Sequence, residues 1–384
     1  MTQCKSESPE FVKEARLPKR DFILLPAISL FTVLTILVAS EFVCRLIWPE
    51  QTDDACLVSD PVFHAHFRPN CKSRTKPAEG PWSDNSYNEC GYRTLESCGP
   101  KRPGTIRVAV IGASFSFGYG SPYNDVYTTL AGKALTRQCK RSVEFQNLGI
   151  ENGSLLDIYR RTDEALALKP DLLLLVAGEG EVTKEMSPDE LARRNDPPRV
   201  TQDHKPVVAD SESLRHSLFV MLKQSRVTLV LQHFMFQDPS TYGKLYLAYD
   251  DKANFLRVPF SSRWQQRFSN IDVILGAISD KARASSVPMA ILIAPTQAQL
   301  ALANTPPSAD VNLQAFPNKV SELAVRHGVF PIDLLPSFTH RPDFKSLIYA
   351  ADGHPSPQGQ HVVADVLDKQ LLSSGMPAFE GCRE

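Results

Sequence analysis

Four consecutive leucines followed by Val-Ala, at 172–177, constrain the fold of this chain more than any other stretch. Successive side chains of a strand point to opposite faces. A run that is apolar at every position is therefore buried on both faces, as the central strand of a parallel sheet covered by helices must be. A second run rich in β-branched residues, Ile106-Arg-Val-Ala-Val-Ile111, is apolar apart from Arg107, is also a buried-strand candidate, and ends in Gly112-Ala113-Ser114.

Strand and helix patterns alternate around these two runs. The pattern predicts helices over 126–138 and 155–168, with a short strand at 143–147 between them. After an interruption come a helix over 262–284, a strand at 289–294, a helix over 311–326, a strand at 329–332 and a last helix over 357–372. Alternation of this kind indicates an α/β class with a parallel sheet. A chain of 384 residues holds one such domain plus accessory segments. The interruption, at about 181–260, contains an acidic and proline-rich stretch, an apolar segment at 218–236 and a polar, aromatic one at 238–251. Lys223, Gln224, Arg226, Gln232 and His233 interrupt the apolar segment, so an insertion over the active edge of the sheet is expected rather than a second membrane span. A formal net charge of −1 with no clustered basic face argues against nucleic acid as a partner.

The amino terminus bears on the compartment. Lys13, Arg16, Lys19 and Arg20 precede a nearly charge-free run at 22–40, long enough to cross a bilayer. The basic flank belongs on the cytoplasmic side, which places everything after about Trp48 outside. Glu41-Phe-Val-Cys44 offers no small-residue cleavage site, so an uncleaved anchor is expected rather than a signal peptide. The expected division is a cytoplasmic tail (1–21), an anchor (22–48), a Cys-rich lead-in with little core of its own (49–103) and the α/β domain (104–384). Beyond the anchor lie Cys56, Cys71, Cys90, Cys98, Cys139 and Cys382, an even set suited to disulfides in an oxidising compartment. Sequence alone leaves their pairing open. Close spacing suggests Cys56–Cys71 and Cys90–Cys98, leaving Cys139–Cys382 to tie down the carboxyl terminus. No two are spaced like a zinc knuckle, and no metal or other cofactor is expected.

Two segments carry chemistry. Ser114 falls at the carboxyl end of a strand, where open α/β sheets bind ligands. It can present a hydroxyl and the backbone N–H groups of the following turn together; the alternative is a turn serine that caps a helix. Far along the chain, Asp352-Gly353-His354-Pro355-Ser356-Pro357 places an imidazole in a loop before the last helix. If that loop folds over the sheet edge, His354 can serve as base to Ser114 and Asp352 can set its tautomer. Asp333 is a second candidate acid, with turn capping as its alternative role. His327, His340 and His361 have no nucleophile to pair with, and Ser116 lacks a preceding glycine turn.

The order and spacing of these blocks resemble those of the SGNH (GDSL-type) acyl hydrolases. The resemblance rests on Gly112-Ala-Ser-Phe-Ser-Phe-Gly118, Asn147-Leu-Gly-Ile-Glu-Asn-Gly153, Pro170-Asp171 with Gly178-Glu-Gly-Glu181, and Asp352-Gly-His-Pro355 with Gly359. It implies a flavodoxin-like three-layer α/β/α sandwich, here with an N-terminal transmembrane helix and a lid-like insertion. It also implies a Ser114–His354–Asp352 triad, with the oxyanion held by the Ser114 N–H, by Gly153 or Asn152, and at the position of Gly180. The family has asparagine where Gly180 stands and aspartate where Ala113 stands. Glu179 and Glu181 are expected beside the site, either touching a sugar hydroxyl or facing water.

The expected function is that of a membrane-anchored, extracytoplasmic (periplasmic in a Gram-negative cell) serine esterase removing acyl, first of all acetyl, groups from a glycan or related ester. Two alternatives stand beside it. An O-acyltransferase would pass the same acyl group to an exported polysaccharide, alongside membrane-bound acyl-transfer machinery. A catalytically weak glycan-binding module would lack turnover. The expected partners are an acylated glycan or lipid-linked ester and, through the N-terminal helix, the membrane.

Overall fold

In this computed structural model the described residues are 18–49, 51–60, 62–184, 186–195, 225–339 and 341–382. The charge-poor run lies in α1 (Asp21–Ile47), a helix of 27 residues, none of them buried. At about 1.5 Å per residue it is roughly 40 Å long, more than the ~30 Å hydrocarbon core of a bilayer.

The lead-in has more structure than its polar composition indicated. It forms two antiparallel hairpins, β1 (Leu57–Asp60) with β2 (His64–Phe67) and β3 (Lys72–Thr75) with β4 (Ser83–Ser86). Cys56, Phe67 and Tyr87 are buried with Phe117 of the domain, and the Phe67 ring stacks between those of Tyr87 and Phe117 at 4.4 and 5.2 Å. Sequence reasoning missed this because Ser83 and Asn85, the inward residues of β4, are polar. Disulfides join Cys56 to Cys71 and Cys90 to Cys98, as close spacing suggested, and Cys139 to Cys382, the pair left over.

Five parallel strands follow: β5 (Ile106–Ile111), β6 (Val143–Asn147), β7 (Leu172–Ala177), β8 (Met289–Ile293) and β9 (Phe330–Asp333). Their spatial order is β6-β5-β7-β8-β9, the flavodoxin-like 2-1-3-4-5 arrangement when counted from β5. The leucine run is central and divides its side chains by pleat. Leu173 and Leu175 join one core, while Leu172 and Leu174 join the other.

After β5 come α2 (Ser114–Phe117) and α3 (Tyr127–Cys139). The pattern at 155–168 resolves into α4 (Leu155–Arg160) and α5 (Thr162–Ala167). The break is at Arg161, whose buried guanidinium donates to the Ala65 carbonyl of the lead-in at 2.5 Å. After β7 comes α6 (Glu179–Thr183), and the described part of the insertion includes α7 (Arg226–Phe236) and α8 (Pro239–Leu247). Then follow α9 (Ser262–Ala284), α10 (Gln297–Ala303), α11 (Ala315–Arg326) and α12 (Pro357–Ser373). The helix expected from 311 begins only at Ala315. Ahead of it the Asn312 N–H bonds the Leu256 carbonyl at 2.7 Å, and the Asn312 side chain accepts from the Gln314 N–H at 3.0 Å.

Candidate active site

The strand β5 ends where it does because Gly112 permits a very close approach. A Cβ there would lie 2.6 Å from that of Ser116 and 2.9 Å from the Val176 carbonyl. The chain turns at once into α2, putting Ser114 in its first turn, where backbone N–H groups lack an intrahelical acceptor. Gly149 is needed for a similar reason, since a Cβ would fall 2.4 Å from the Phe117 nitrogen. The Asn147 amide donates to the Ser116 carbonyl at 2.9 Å and accepts from the Gly149 N–H at 3.0 Å, which ties the second block to the Ser114 turn.

From the lead-in, Arg93 closes the other end of that turn. Its buried guanidinium donates to the carbonyls of Phe117, Gly118 and Ser121 at 2.7, 2.9 and 2.7 Å, and lies 4.3 Å from the Phe117 ring centre.

The histidine loop is a separate construction. The Tyr349 N–H bonds the His354 carbonyl and the Gly353 N–H bonds the Tyr349 carbonyl, at 2.9 and 2.8 Å. Gly353 adopts φ 85°, a value that favours glycine. Glu79, 1% exposed, accepts the N–H groups of Ala351 and Asp352 at 2.7 and 2.6 Å. Its other oxygen meets Nδ1 of His233, whose Nε2 lies 2.7 Å from the Gln237 amide.

These two constructions bring Ser114, His354 and Asp352 together. His354 Nε2 is 2.7 Å from Ser114 Oγ, and Nδ1 is 2.6 Å from Asp352 Oδ1. A carboxylate only accepts, so Nδ1 carries the proton, and the neutral ring then offers its Nε2 lone pair to the serine hydroxyl. The Tyr119 ring lies 4.9 Å from that of His354. Burial by itself would lower the His354 pKa, but the Asp352 hydrogen bond and charge outweigh it, assisted by Glu181 and Glu151, and hold it above its ordinary value.

The model of the GDSL-like lipase/acylhydrolase family matches residues 110–362, well over half the chain and inclusive of both blocks. The chain belongs to this family. No curated protein shows significant sequence similarity to it. Among solved structures, a lipolytic protein of the G-D-S-L family from Desulfitobacterium hafniense DCB-2 is 15% identical, covering 69% of this chain and 98% of its own, with a TM-score of 0.37. The lipase/acylhydrolase from Enterococcus faecalis is 13% identical, covering 69% and 95%, at 0.36. The acetyl xylan esterase AlAXEase is 14% identical, covering 69% and 100%, at 0.35.

In this GDSL-like acylhydrolase a cleft of about 410 Å³ opens at Ser114 and His354. Glu179 and Gly180 of α6, Tyr242 and Tyr246 of α8, and Lys252 line it, so the insertion supplies one wall. Burial pushes the Glu179 carboxyl up to about 7 against the opposing charge of Lys252. Glu181 instead turns back to accept the Gly178 N–H at 2.8 Å. Gly180 has nothing within 4 Å of where its Cβ would be. Gly153 is buried, and a Cβ there would lie 3.6 Å from that of Ala113, the residue before Ser114. Asn152 has φ 59°, and its carbonyl and that of Gly153 receive the Lys184 ammonium.

The remaining candidates lie elsewhere. Asp333 accepts the Leu335 N–H at 2.9 Å, His327 meets Asp272 at 2.7 Å, His361 is exposed near Asp125, and Ser116 is fully buried behind the turn. His340 falls outside the described residues. Among those residues no cluster of three or more His, Cys, Asp or Glu is placed to hold a metal ion. Sequence reasoning missed Glu79, Arg93 and Glu151. The first two lie in the polar lead-in, where no periodicity marks an inward residue. Glu151 is pushed up to about 7 by burial and the charge of Asp54, in spite of Arg93 and His354 nearby.

Proposed function

We propose that the chain is a membrane-anchored serine esterase that removes acyl groups, acetyl first among them, from an extracytoplasmic glycan or related ester. The hydrogen-bonded series Ser114 Oγ, His354 and Asp352 carries this reading. Ser114 Oγ attacks the ester carbonyl while its proton passes to His354 Nε2, and Asp352 stabilises the resulting imidazolium. The Ser114 N–H, with Gly153 beside Ala113, receives the developing oxyanion. The imidazolium then gives its proton to the departing alkoxide, leaving an acyl-serine. Water activated by His354 releases the acid and restores the serine. The anchor reading is supported by the length and exposure of α1 and by the disulfides.

Gly180 favours a second reading. A glycine offers no side-chain amide, and loss of one oxyanion donor costs about 10²–10³ in rate. That loss fits a glycan-binding module with little turnover, whereas the α8 tyrosines lining the cleft fit an O-acyltransferase that keeps water from the acyl-serine. A fluorophosphonate probe should label the protein and fail to label Ser114→Ala. Free acetate as product identifies the hydrolase, and an acetylated acceptor the transferase. Glycan binding with neither labelling nor turnover would exclude both enzymes.

A further inference from the structure

We propose that α7 is seated in the outer face of the bilayer, beside the exit of α1, so that the catalytic domain rests on the membrane through its insertion. The inference rests on the anchor reading of α1. Three contacts fix where α7 begins: Glu41 of α1 accepts the Ser225 hydroxyl at 2.8 Å and the N–H groups of Arg226 and Val227 at 3.0 and 3.1 Å. These satisfy a carboxylate at the end of the charge-free run and cap the amino terminus of α7 together. Further on, Trp48 meets the His233 ring edge-on at 4.8 Å. The two helices therefore run side by side, α7 alongside the last two turns of α1.

That is the part of α1 which outruns the hydrocarbon core, and tryptophan is the residue expected at a membrane–water boundary. On α7, Leu231, Phe234 and Met235 are 56%, 65% and 48% exposed. At i, i+3 and i+4 they form one apolar stripe. Phe42, Val43, Leu46 and Ile47 expose apolar surface on the adjoining turns of α1. No Lys, Arg, Asp or Glu occurs between 227 and 237. An 11-residue helix is too short to span, but its apolar face suits burial by about 5–10 Å at the headgroup–acyl boundary. Lipid is the occupant to which the geometry points, because whatever covers this stripe must share space with the lipid around α1. The opposite side of α7 carries His233, and through Glu79 it reaches the backbone of Asp352. The helix resting on the membrane thus also braces the histidine loop.

The full-length protein, with Cys4→Ser and Cys44→Ser, is reconstituted in phosphatidylcholine–phosphatidylglycerol vesicles. Nitroxides are attached singly at Ile36→Cys, Leu231→Cys, Phe234→Cys and, as an exposed reference, Val325→Cys. Collision rates with oxygen and with a water-soluble nickel chelate report depth. Labels at 231 and 234 should show an oxygen-to-nickel ratio raised several-fold over 325, with 36 higher still. If 36 lies in hydrocarbon while 231 and 234 match 325, the seating of α7 is wrong and the anchor stands. If 36 also matches 325, both fall. Dipolar broadening between 234 labels on separate molecules would assign the stripe to a second copy and overturn the lipid assignment.

Discussion

Ser114 and His354 approach to 2.7 Å from loops that are held in opposite ways. The Ser114 turn grows out of a central strand and is fastened at both ends by buried groups, Asn147 from the neighbouring strand and Arg93 from the lead-in. The histidine loop has no strand behind it. It hangs before α12 and is fixed from outside the sheet by Glu79, itself met by His233 of the insertion. The sheet supplies the strand from which the Ser114 turn grows, and the lead-in braces both halves, through Arg93 on one side and Glu79 on the other.

The largest effect should come from breaking the Ser114 side. Arg93→Met leaves the buried carbonyls of Phe117 and Ser121 without their guanidinium donor, while that of Gly118 keeps only the Ser121 N–H at 3.3 Å, and should cost about 3–5 kcal/mol of unfolding free energy. The urea midpoint checks this. A loss below ~1 kcal/mol would mean that the turn holds itself.

The histidine side should respond in rate before stability. Glu79→Ala frees two N–H groups next to Asp352, and a misplacement of about 1 Å at the reacting groups is worth roughly 10²-fold. A fall of that size in kcat on a simple acetate ester, with KM little changed, is expected. Glu79→Gln, whose amide oxygen can still accept those N–H groups, should recover part of it. Equal losses in both variants would show that the carboxylate charge, rather than loop position, matters.

Next in size is a gain. Gly180→Asn meets no neighbour within 4 Å of its Cβ, so an amide can be accommodated at the edge of the cleft. If oxyanion stabilisation limits turnover, kcat should rise about 10-fold or more. An unchanged kcat with unchanged stability would show that the developing charge is already served from the Ser114–Gly153 side.

The same contrast explains what could be read from the sequence. Leu172–Leu175 and the β5 run, polar only at Arg107, announce a double-sided sheet because they are apolar on both faces, whereas the equally buried β6 carries Glu144, Gln146 and Asn147 and announces nothing. Ser114 and the Asp352–His354 pair were legible because each stands in a short glycine-marked turn next to a regular element. Their bracing was not. Arg93 and Glu79 lie among polar residues with no period, and nothing local distinguishes a charged side chain that will be buried from one that will face water. Only the tertiary fold gives Arg93 its carbonyls and Glu79 its amides. Gly180 was legible as a departure from the family pattern.

The smallest effect separates the two sides by pH. Glu151, near Arg93, and Glu179, in the cleft, have carboxyls raised from 4.5 to about 7, chiefly by burial. A folded-state pKa above the unfolded one means that the native state keeps a proton which the unfolded chain releases. The resulting stability is full below pH 4.5 and is lost as pH rises through about 7. Raised His354 acts in the same sense, its contribution being full below 6.5 and lost above its raised value. In the proposed mechanism activity runs the other way, because there His354 must be neutral to accept the serine proton. The domain should therefore gain rate and lose stability as pH rises from 6 toward 8. Glu151→Gln and Glu179→Gln should each flatten the stability curve, by about 1–2 kcal/mol between pH 5 and 8. Glu151, with Glu181, helps Asp352 hold the imidazole proton, so Glu151→Gln should move the acid limb of kcat/KM to lower pH, and by more than Glu179→Gln does. An equal shift in Glu179→Gln would couple that carboxyl to His354 as closely as Glu151, and the distinction between the Ser114 side and the cleft wall would have to be redrawn.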